Sequence, residues 1–568
     1  MAWRPCSAAF GACVLAFTGV GVYVENIMTT VNVNLADVAA AQRTLIKALQ
    51  DPARYPDPVA QVTLLETHIS YVLLTGSFAY KIKKAVDFGF LDFSTLEKRR
   101  RFCADELRLN RRLAPQLYLA VVPIYGSARE PRIGADVGER SAPIEAIETI
   151  EYAVKMVEFP QSALLDGRLA RGDLSAQQID ALADVVAAFH AQVASAPPAG
   201  EFGTPAVIWR MAAENFSQLP AVASDAADAA RLETLANWSR NEYARLEAWF
   251  AERRRAGFVR ECHGDLHLGN IALIDGKPVI FDCIEFNPAL RWIDVISEVA
   301  FLCMDLGERG RADFAHRLIN RYLEICGDYA GLRALPFYLV YRALVRAKVA
   351  SLRAAQEAST AAARRQLEIR AQYLAFAGRA ILPRSRQLLL MHGVSGSGKT
   401  WASQALIEHL GALRLRSDVE RKRLCGLPAL ARSASAVDCG LYDEQMTRAT
   451  YQSLAECARE VLAAGFPVLV DAACLRRWQR EMFYELAAQL DVPWRIISCC
   501  ADDATLRSRL VAREQSGCDA SEADLAILDH QLLNNDPLSA AEQQLAITFD
   551  SDRDSLEQLL ERCALKAV

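Results

Sequence analysis

Residues 393–400 read Gly-Val-Ser-Gly-Ser-Gly-Lys-Thr, a complete G-x-x-x-x-G-K-[ST] run between an apolar strand pattern at Leu388–Met391 and a helical pattern. Few eight-residue runs restrict a fold so tightly. The glycines let the backbone wrap around an anion, so that the N–H groups of Gly393, Val394, Ser395, Gly396, Ser397 and Gly398 and the following helix N-terminus converge on phosphates. Lys399 is then placed to reach the β- and γ-phosphates of ATP, and Thr400 to ligate Mg²⁺. Further apolar runs at Leu413–Leu415, Pro467–Val470 and Trp494–Ser498 alternate with helical stretches. That rhythm predicts a parallel sheet with flanking helices over residues 385–568.

Other residues of this half suit the same chemistry. Val468-Leu-Val-Asp471 is a buried-strand pattern ending in a carboxylate, which either holds the metal or its water or caps the strand. Asp418 follows the strand at Leu413–Leu415, with Arg421 three residues on. Asp418 reads as a general base for an acceptor hydroxyl or as a plain helix N-cap, and Arg421 as a grip for an acceptor phosphate or acid. Arg507, Arg509 and Arg513 lie on a predicted helix after the last clear strand. Arg509 and Arg513 share a face, as in a phosphate-facing lid or a solvated basic surface. From Leu388 to Gln531 this pattern resembles the P-loop kinases that include polynucleotide kinase, gluconate kinase and zeta-toxin-like proteins. The resemblance implies Asp418 as the group that activates the acceptor and arginines as lid residues.

A second motif lies far upstream. Residues 263–270 read His-Gly-Asp-Leu-His-Leu-Gly-Asn, with the H-x-D-x-x-x-x-N spacing of a protein-kinase catalytic loop. In that spacing the Asp accepts the acceptor's proton and the Asn holds Mg²⁺. Apolar runs at Ile271–Ile274 and Pro278–Phe281 flank Asp275-Gly276, a strong hairpin turn. Antiparallel pairing around it brings Asn270 within about one residue of Asp282, so that one hairpin delivers an amide and a carboxylate together. Upstream, Ser70–Lys83 reads as strand, turn at Thr75-Gly76, strand. Thr95–Leu113 reads as a helix, and helical patterns dominate from Ser175 onward. A small sheet-bearing lobe before a helical lobe is a protein-kinase-like bilobal layout.

These motifs resemble the aminoglycoside phosphotransferase and choline kinase family over roughly residues 60–345. The resemblance implies Asp265 as catalytic base, Asn270 and Asp282 as metal ligands, and His263 as the residue that orients the loop. It further implies Asp294 as a buried carboxylate bracing that loop, Lys81 (with Lys83 on the same strand face as the alternative) at the α/β-phosphates, Glu106 as the lysine's partner, and Glu151–Met156 as the adenine hinge. Only Gly76 stands where a full glycine-rich loop is expected. Taken whole, the chain resembles bacterial fusions of an aminoglycoside phosphotransferase-like domain with an AAA-type ATPase.

At 568 residues the chain exceeds one core. Pro383 breaks a solvated helical stretch, so the expected division is 28–384 and 385–568, each folding independently. Arg4 and an apolar run from Ser7 to Val24 resemble a signal peptide or short membrane anchor, but Met28 serves well as a translation start. Residues 1–27 are therefore set apart, and no membrane partner is expected unless they form an anchor. Residues 385–568 carry 20 Lys+Arg against 26 Asp+Glu, and residues 1–384 carry 44 against 43, so neither half is a basic nucleic-acid scaffold. The 15 scattered cysteines form no C-x-x-C pair, which suits a reducing cytoplasm. The reading that unites these features is an ATP- and Mg²⁺-dependent phosphotransferase with two kinase-like modules acting on small-molecule acceptors. Two alternatives stand beside it. One is a regulatory P-loop ATPase with a binding-only first module. The other is a nucleic-acid end kinase, favoured by the basic cluster at Arg414–Arg423.

Overall fold

The computed structural model describes residues 33–89, 91–134, 148–219, 226–357, 359–429, 431, 442–516 and 521–564. The apolar segment at 1–27 lies outside them. The chain divides into two compact units, one of residues 1–308 and 337–381, the other of 309–336 and 382–568. The sequence division at 384 thus falls close to the last crossing, but residues 309–336 group with the second unit.

In the first unit, six strands form an antiparallel sheet in the order β1-β2-β3-β6-β4-β5: β1 (Thr63–Glu66), β2 (Ser70–Leu74), β3 (Phe78–Lys83), β4 (Tyr118–Gly126), β5 (Pro131–Ile133) and β6 (Thr149–Val157). β2 and β3 turn through Thr75 and Gly76, and Gly76 takes φ +90°, which glycine adopts without a Cβ clash. Helix α1 (Leu96–Asn110) is capped by Thr95, whose side chain accepts from Lys98 N. The helical lobe that follows carries two short ribbons. One pairs β7 (Val259–Glu261) with β10 (Trp292–Asp294), and the other pairs β8 (Ile271–Ile274) with β9 (Lys277–Ile280). Helix α2 (Val295–Glu308) leads directly from β10 and is buried along nearly its whole length.

In the second unit, helix α3 (Ala312–Cys326) precedes the five-stranded sheet. Its strands β11 (Leu388–His392), β12 (Leu413–Arg416), β13 (Val468–Asp471), β14 (Trp494–Cys500) and β15 (Ala546–Asp550) run in the order β12-β13-β11-β14-β15, every pairing parallel. β11 is buried at all five positions, as a central parallel strand covered on both faces requires. Helices α4 (Lys399–Leu410), α5 (Ser417–Leu424) and α6 (Asp503–Ser516) bring the remaining motif residues to this sheet, and α7 (Leu525–Leu533) follows them. The strand-loop-helix from β11 to α4 is the context the glycine-rich run demanded. Among the described residues no helix is long and apolar enough to cross a membrane, and every described cysteine is free.

Candidate functional site

The hairpin geometry in the first unit comes out as the turn chemistry dictates. Asp275 and Gly276 both take positive φ, Ile271 pairs with Ile280, and Phe281 N donates to Asn270 O at 3.0 Å. Asn270 therefore stands one residue from alignment with Asp282. Its side-chain amide donates to Asp265 Oδ2 at 2.9 Å and to Asp265 O at 3.0 Å, which fixes the carboxylate beside it. His263 Nε2 lies 2.9 Å from Phe281 O, and its Nδ1 accepts from Asp265 N at 3.3 Å. These two contacts assign the proton to Nε2. Burial lowers the His263 pKa, in keeping with this neutral form.

Asp294 does not brace the 263–270 loop. It forms a two-pronged ion pair with Arg253 at 2.6 and 2.8 Å and accepts from Ile296 N, closing the start of α2. The brace is Glu298, which accepts from His263 N at 3.1 Å and Gly264 N at 2.6 Å and meets His190 Nε2 at 2.9 Å. Its pKa is about 2: burial pushes the carboxyl up, but His190, His263 and the loop amide outweigh it. Asp305, two turns further along α2, accepts from Leu268 N at 3.0 Å. A Cβ on Gly264 (φ +89°) would stand 2.7 Å from Leu290 O, so the loop's tight approach there requires glycine. Glu298 and Asp305, seven residues apart within an apolar stretch of the helix, are the sequence signal for this brace.

Lys81 and Lys83 both project from β3, and both pair with buried Glu106, at 2.7 and 2.6 Å. The two lysines then diverge. Lys81 Nζ reaches Asp282 Oδ1 at 2.5 Å, whereas Lys83 turns to buried Glu285. Lys81 is thus the lysine tied to the proposed metal carboxylate, and Lys83–Glu285 is an inner pair that no motif signalled. Asp282 takes φ +64°, an unusual conformation for a non-glycine residue, and its N–H donates to Tyr118 Oη. Gly76 N donates to Glu158 Oε2 at 2.8 Å, just after β6 leaves the sheet. The apolar cleft beneath, lined by Ala79, Tyr118, Met156, Phe159 and Phe281, holds only about 20 Å³, room for a water molecule. Glu151 lies inside β6 and pairs with Arg99 at 2.9 Å, so the cleft is reached at the strand's far end.

In the second unit, one cavity of about 800 Å³ gathers Ser395, Gly396, Gly398, Lys399, Thr400, Asp418, Arg421, Asp471, Arg509 and Arg513. The loop is as crowded as its glycines imply: a Cβ on Gly393 (φ +137°) would meet Cys499 O at 2.4 Å. Lys399 Nζ donates to Gly393 O and Val394 O, both at 2.9 Å, and its pKa is lowered by burial. Asp471 Oδ2 accepts from Ser403 Oγ at 3.1 Å. Asp418 is not the N-cap of α5, a place Arg416 takes; it sits in the first turn and lines the cavity. Arg421 donates to Thr447 Oγ1 at 3.1 Å and lies over the Tyr442 ring. Arg509 bonds Gly396 O and Ser551 Oγ, Arg513 bonds Ala523 O, and Arg507 forms an outer pair with Asp503 and Asp529. Gln531, unsignalled by any motif, accepts from Ser395 N at 2.7 Å.

Within the basic cluster at 414–423, Arg414 pairs with Glu324, Lys422 with Glu522 and Arg423 with Glu420, whereas Arg416 and Arg421 line the cavity.

Both units match known families in sequence. The profile of the Phosphotransferase enzyme family matches residues 93–335, and that of the AAA domain matches residues 388–538. Uncharacterized proteins of Mycobacterium tuberculosis and Mycobacterium bovis are each 31% identical over 473 residues, covering 82% of this chain and 89% of the relative. Among solved structures, a gluconokinase from Sinorhizobium meliloti is 18% identical with a TM-score of 0.24, covering 32% of this chain and 93% of its own. The APS kinase of Mycobacterium tuberculosis is 20% identical with a TM-score of 0.24, covering 32% of this chain and 98% of its own. With both motif sets seated in their folds and relatives matched across both units, the chain belongs to the bacterial family of kinases that join a phosphotransferase-family domain to an AAA-type P-loop domain.

Proposed function

We propose that the chain transfers the γ-phosphoryl group of ATP to small-molecule acceptors at two separate centres. The observation that carries this reading is the convergence of Asp265, Asn270 and Asp282 on one hairpin, with Lys81 tied to Asp282. A binding-only module has no use for that set. At the first centre Asp265 accepts the proton of the acceptor hydroxyl as its oxygen bonds to the γ-phosphorus, and the bond to the β-phosphate oxygen breaks to release ADP. Asn270 holds the Asp265 carboxylate in place, and Lys81 steadies the phosphates. Asn270 and Asp282 offer the hard oxygen donors that suit Mg²⁺, which when bound neutralises phosphate charge. At the second centre the amides of residues 393–398 and Lys399 cradle the triphosphate, with Arg509 and Arg513 beside it. Asp418 serves as base toward an acceptor gripped by Arg421, and Thr400 and Asp471 supply the metal's oxygen donors. The free cysteines among the described residues fit a reducing cytoplasm as the location.

The test is transfer from γ-labelled ATP into cell-extract metabolites by the full chain and single variants. Lys399→Ala removes one set of labelled products, and Asp265→Asn removes another while Mg-ATP binding persists. Asp282→Asn weakens that binding at the first centre, because the triphosphate then lacks its protein-held counterion. Unchanged labelling in all three variants refutes the reading.

A further inference from the structure

Trp401 directly follows Thr400 on the first turn of α4, yet its side chain is 50% exposed. It lines the same cavity as Gly398, Lys399, Arg509 and Arg513. The order of the sheet gives this position a direction. The phosphate loop follows the central strand β11, while Asp418 and Asp471 follow or end β12 and β13 on one side. On the other side Arg509 is anchored to Ser551, which follows β15, and Trp401 rests against Phe549 of β15 with ring centroids 5.8 Å apart. A triphosphate laid over the loop with its γ end toward Asp418 leaves its nucleoside toward β14 and β15. There the chain presents a half-exposed indole, backed by a buried phenylalanine, in the same cavity as a guanidinium fixed by Gly396 O, Ser551 Oγ and Asp552. A planar aromatic base stacks favourably on such a face, whatever hydrogen-bonding edges it carries.

We propose that Trp401 is the stacking platform for the base of the nucleoside triphosphate bound at the phosphate loop. The inference rests on the cavity being a nucleotide site, as proposed above. Its consequence is selective: Trp401 acts on the nucleoside and not on the phosphates, so it sets the preference for a nucleoside triphosphate over bare tripolyphosphate. An indole that merely shielded Phe549 would affect stability and leave that preference alone.

The experiment compares calorimetric binding of Mg-ATP and Mg-tripolyphosphate to the full chain, with Asp282→Asn in every sample to weaken the other centre. Trp401→Leu keeps an apolar cover over Phe549 but removes the π-face, and Trp401→Phe keeps a smaller one. The expected result is about tenfold weaker ATP binding in Trp401→Leu with tripolyphosphate unchanged, and near-parent ATP binding in Trp401→Phe. Parent-like ATP binding by Trp401→Leu, or equal weakening of both ligands, overturns the platform while leaving the nucleotide site intact. A parent that binds neither ligand overturns the nucleotide reading and the platform with it.

Discussion

Glu106 is completely buried between Lys81 and Lys83, and its pKa is about 2. Burial alone pushes the carboxyl up, and the two ammonium groups outweigh it. In the unfolded chain the same group titrates near about 4.3. Because the folded value is the lower, the stability Glu106 contributes is fully present above that pH and is lost as pH falls toward 2. The stability gap between the parent and Glu106→Gln, followed by urea unfolding, is therefore expected to be constant near neutrality and to shrink below about pH 4.3. A gap that widens with acid refutes the assignment. This ion cluster also shows what a sequence reveals at this scale. The juxtaposition of Asp265, Asn270 and Asp282 was legible because a motif spacing and a turn signal fix them along one short stretch. The choice between Lys81 and Lys83 was not, since both share a strand face and only the third dimension sends one to Asp282 and the other to Glu285. Glu298 was missed for a related reason: its partners, His190 and the amides of His263 and Gly264, lie 34 to 108 residues away.

At the scale of elements, α7 touches the phosphate loop where the proposed nucleotide would bind. Gln531 of α7 presents an oxygen to Ser395 N, the kind of acceptor a phosphate oxygen would replace, while Lys399 donates to carbonyls of its own loop. A nucleotide bound as proposed would replace the first contact and redirect the second. Gln531→Ala removes the competing acceptor, and the net worth of one such hydrogen bond predicts about two- to tenfold tighter ATP binding. Weaker binding in that variant would mean that Gln531 contacts the ligand. Most strands and the parallel rhythm of this unit were readable, because a buried parallel strand is a continuous apolar run and glycine-rich turns mark its end. Helix α3 lies inside the phosphotransferase-family match at 93–335, yet its chain segment groups with the second unit. Its amphipathic pattern announces an apolar face but not the surface that face covers, and that surface belongs to the second unit.

For the whole molecule, this excursion of the chain changes what an independent P-loop module is. Asn320 of α3 accepts from Arg414 N at 2.7 Å and donates to Ala412 O at 3.0 Å, satisfying the backbone at the entry of edge strand β12. Glu324 pairs with the Arg414 side chain at 2.8 Å, and both groups are almost wholly buried. His316 lies 2.9 Å from Glu408 O, and Arg317 pairs with the Glu408 carboxylate at 2.6 Å, so α3 also grips α4, the helix that follows the phosphate loop. A fragment beginning at residue 385 loses every one of these contacts. Removing α3 also bares the surface of β12 and α4 that it covers, at roughly 25 cal/mol per Å² of apolar area, against a total of only about 5–15 kcal/mol for a typical domain. Fragment 385–568 is therefore expected to aggregate or melt without cooperativity, despite containing the entire AAA match at 388–538. Adding residues 309–336 as a separate peptide restores α3 without the first-unit helices of 337–381, and is expected to return one cooperative transition and Mg-ATP binding. Thermal unfolding of 385–568 with and without that peptide and Mg-ATP decides the matter. A cooperative, ligand-stabilised transition in 385–568 alone, unchanged by the peptide, would show that α3 only decorates the second unit.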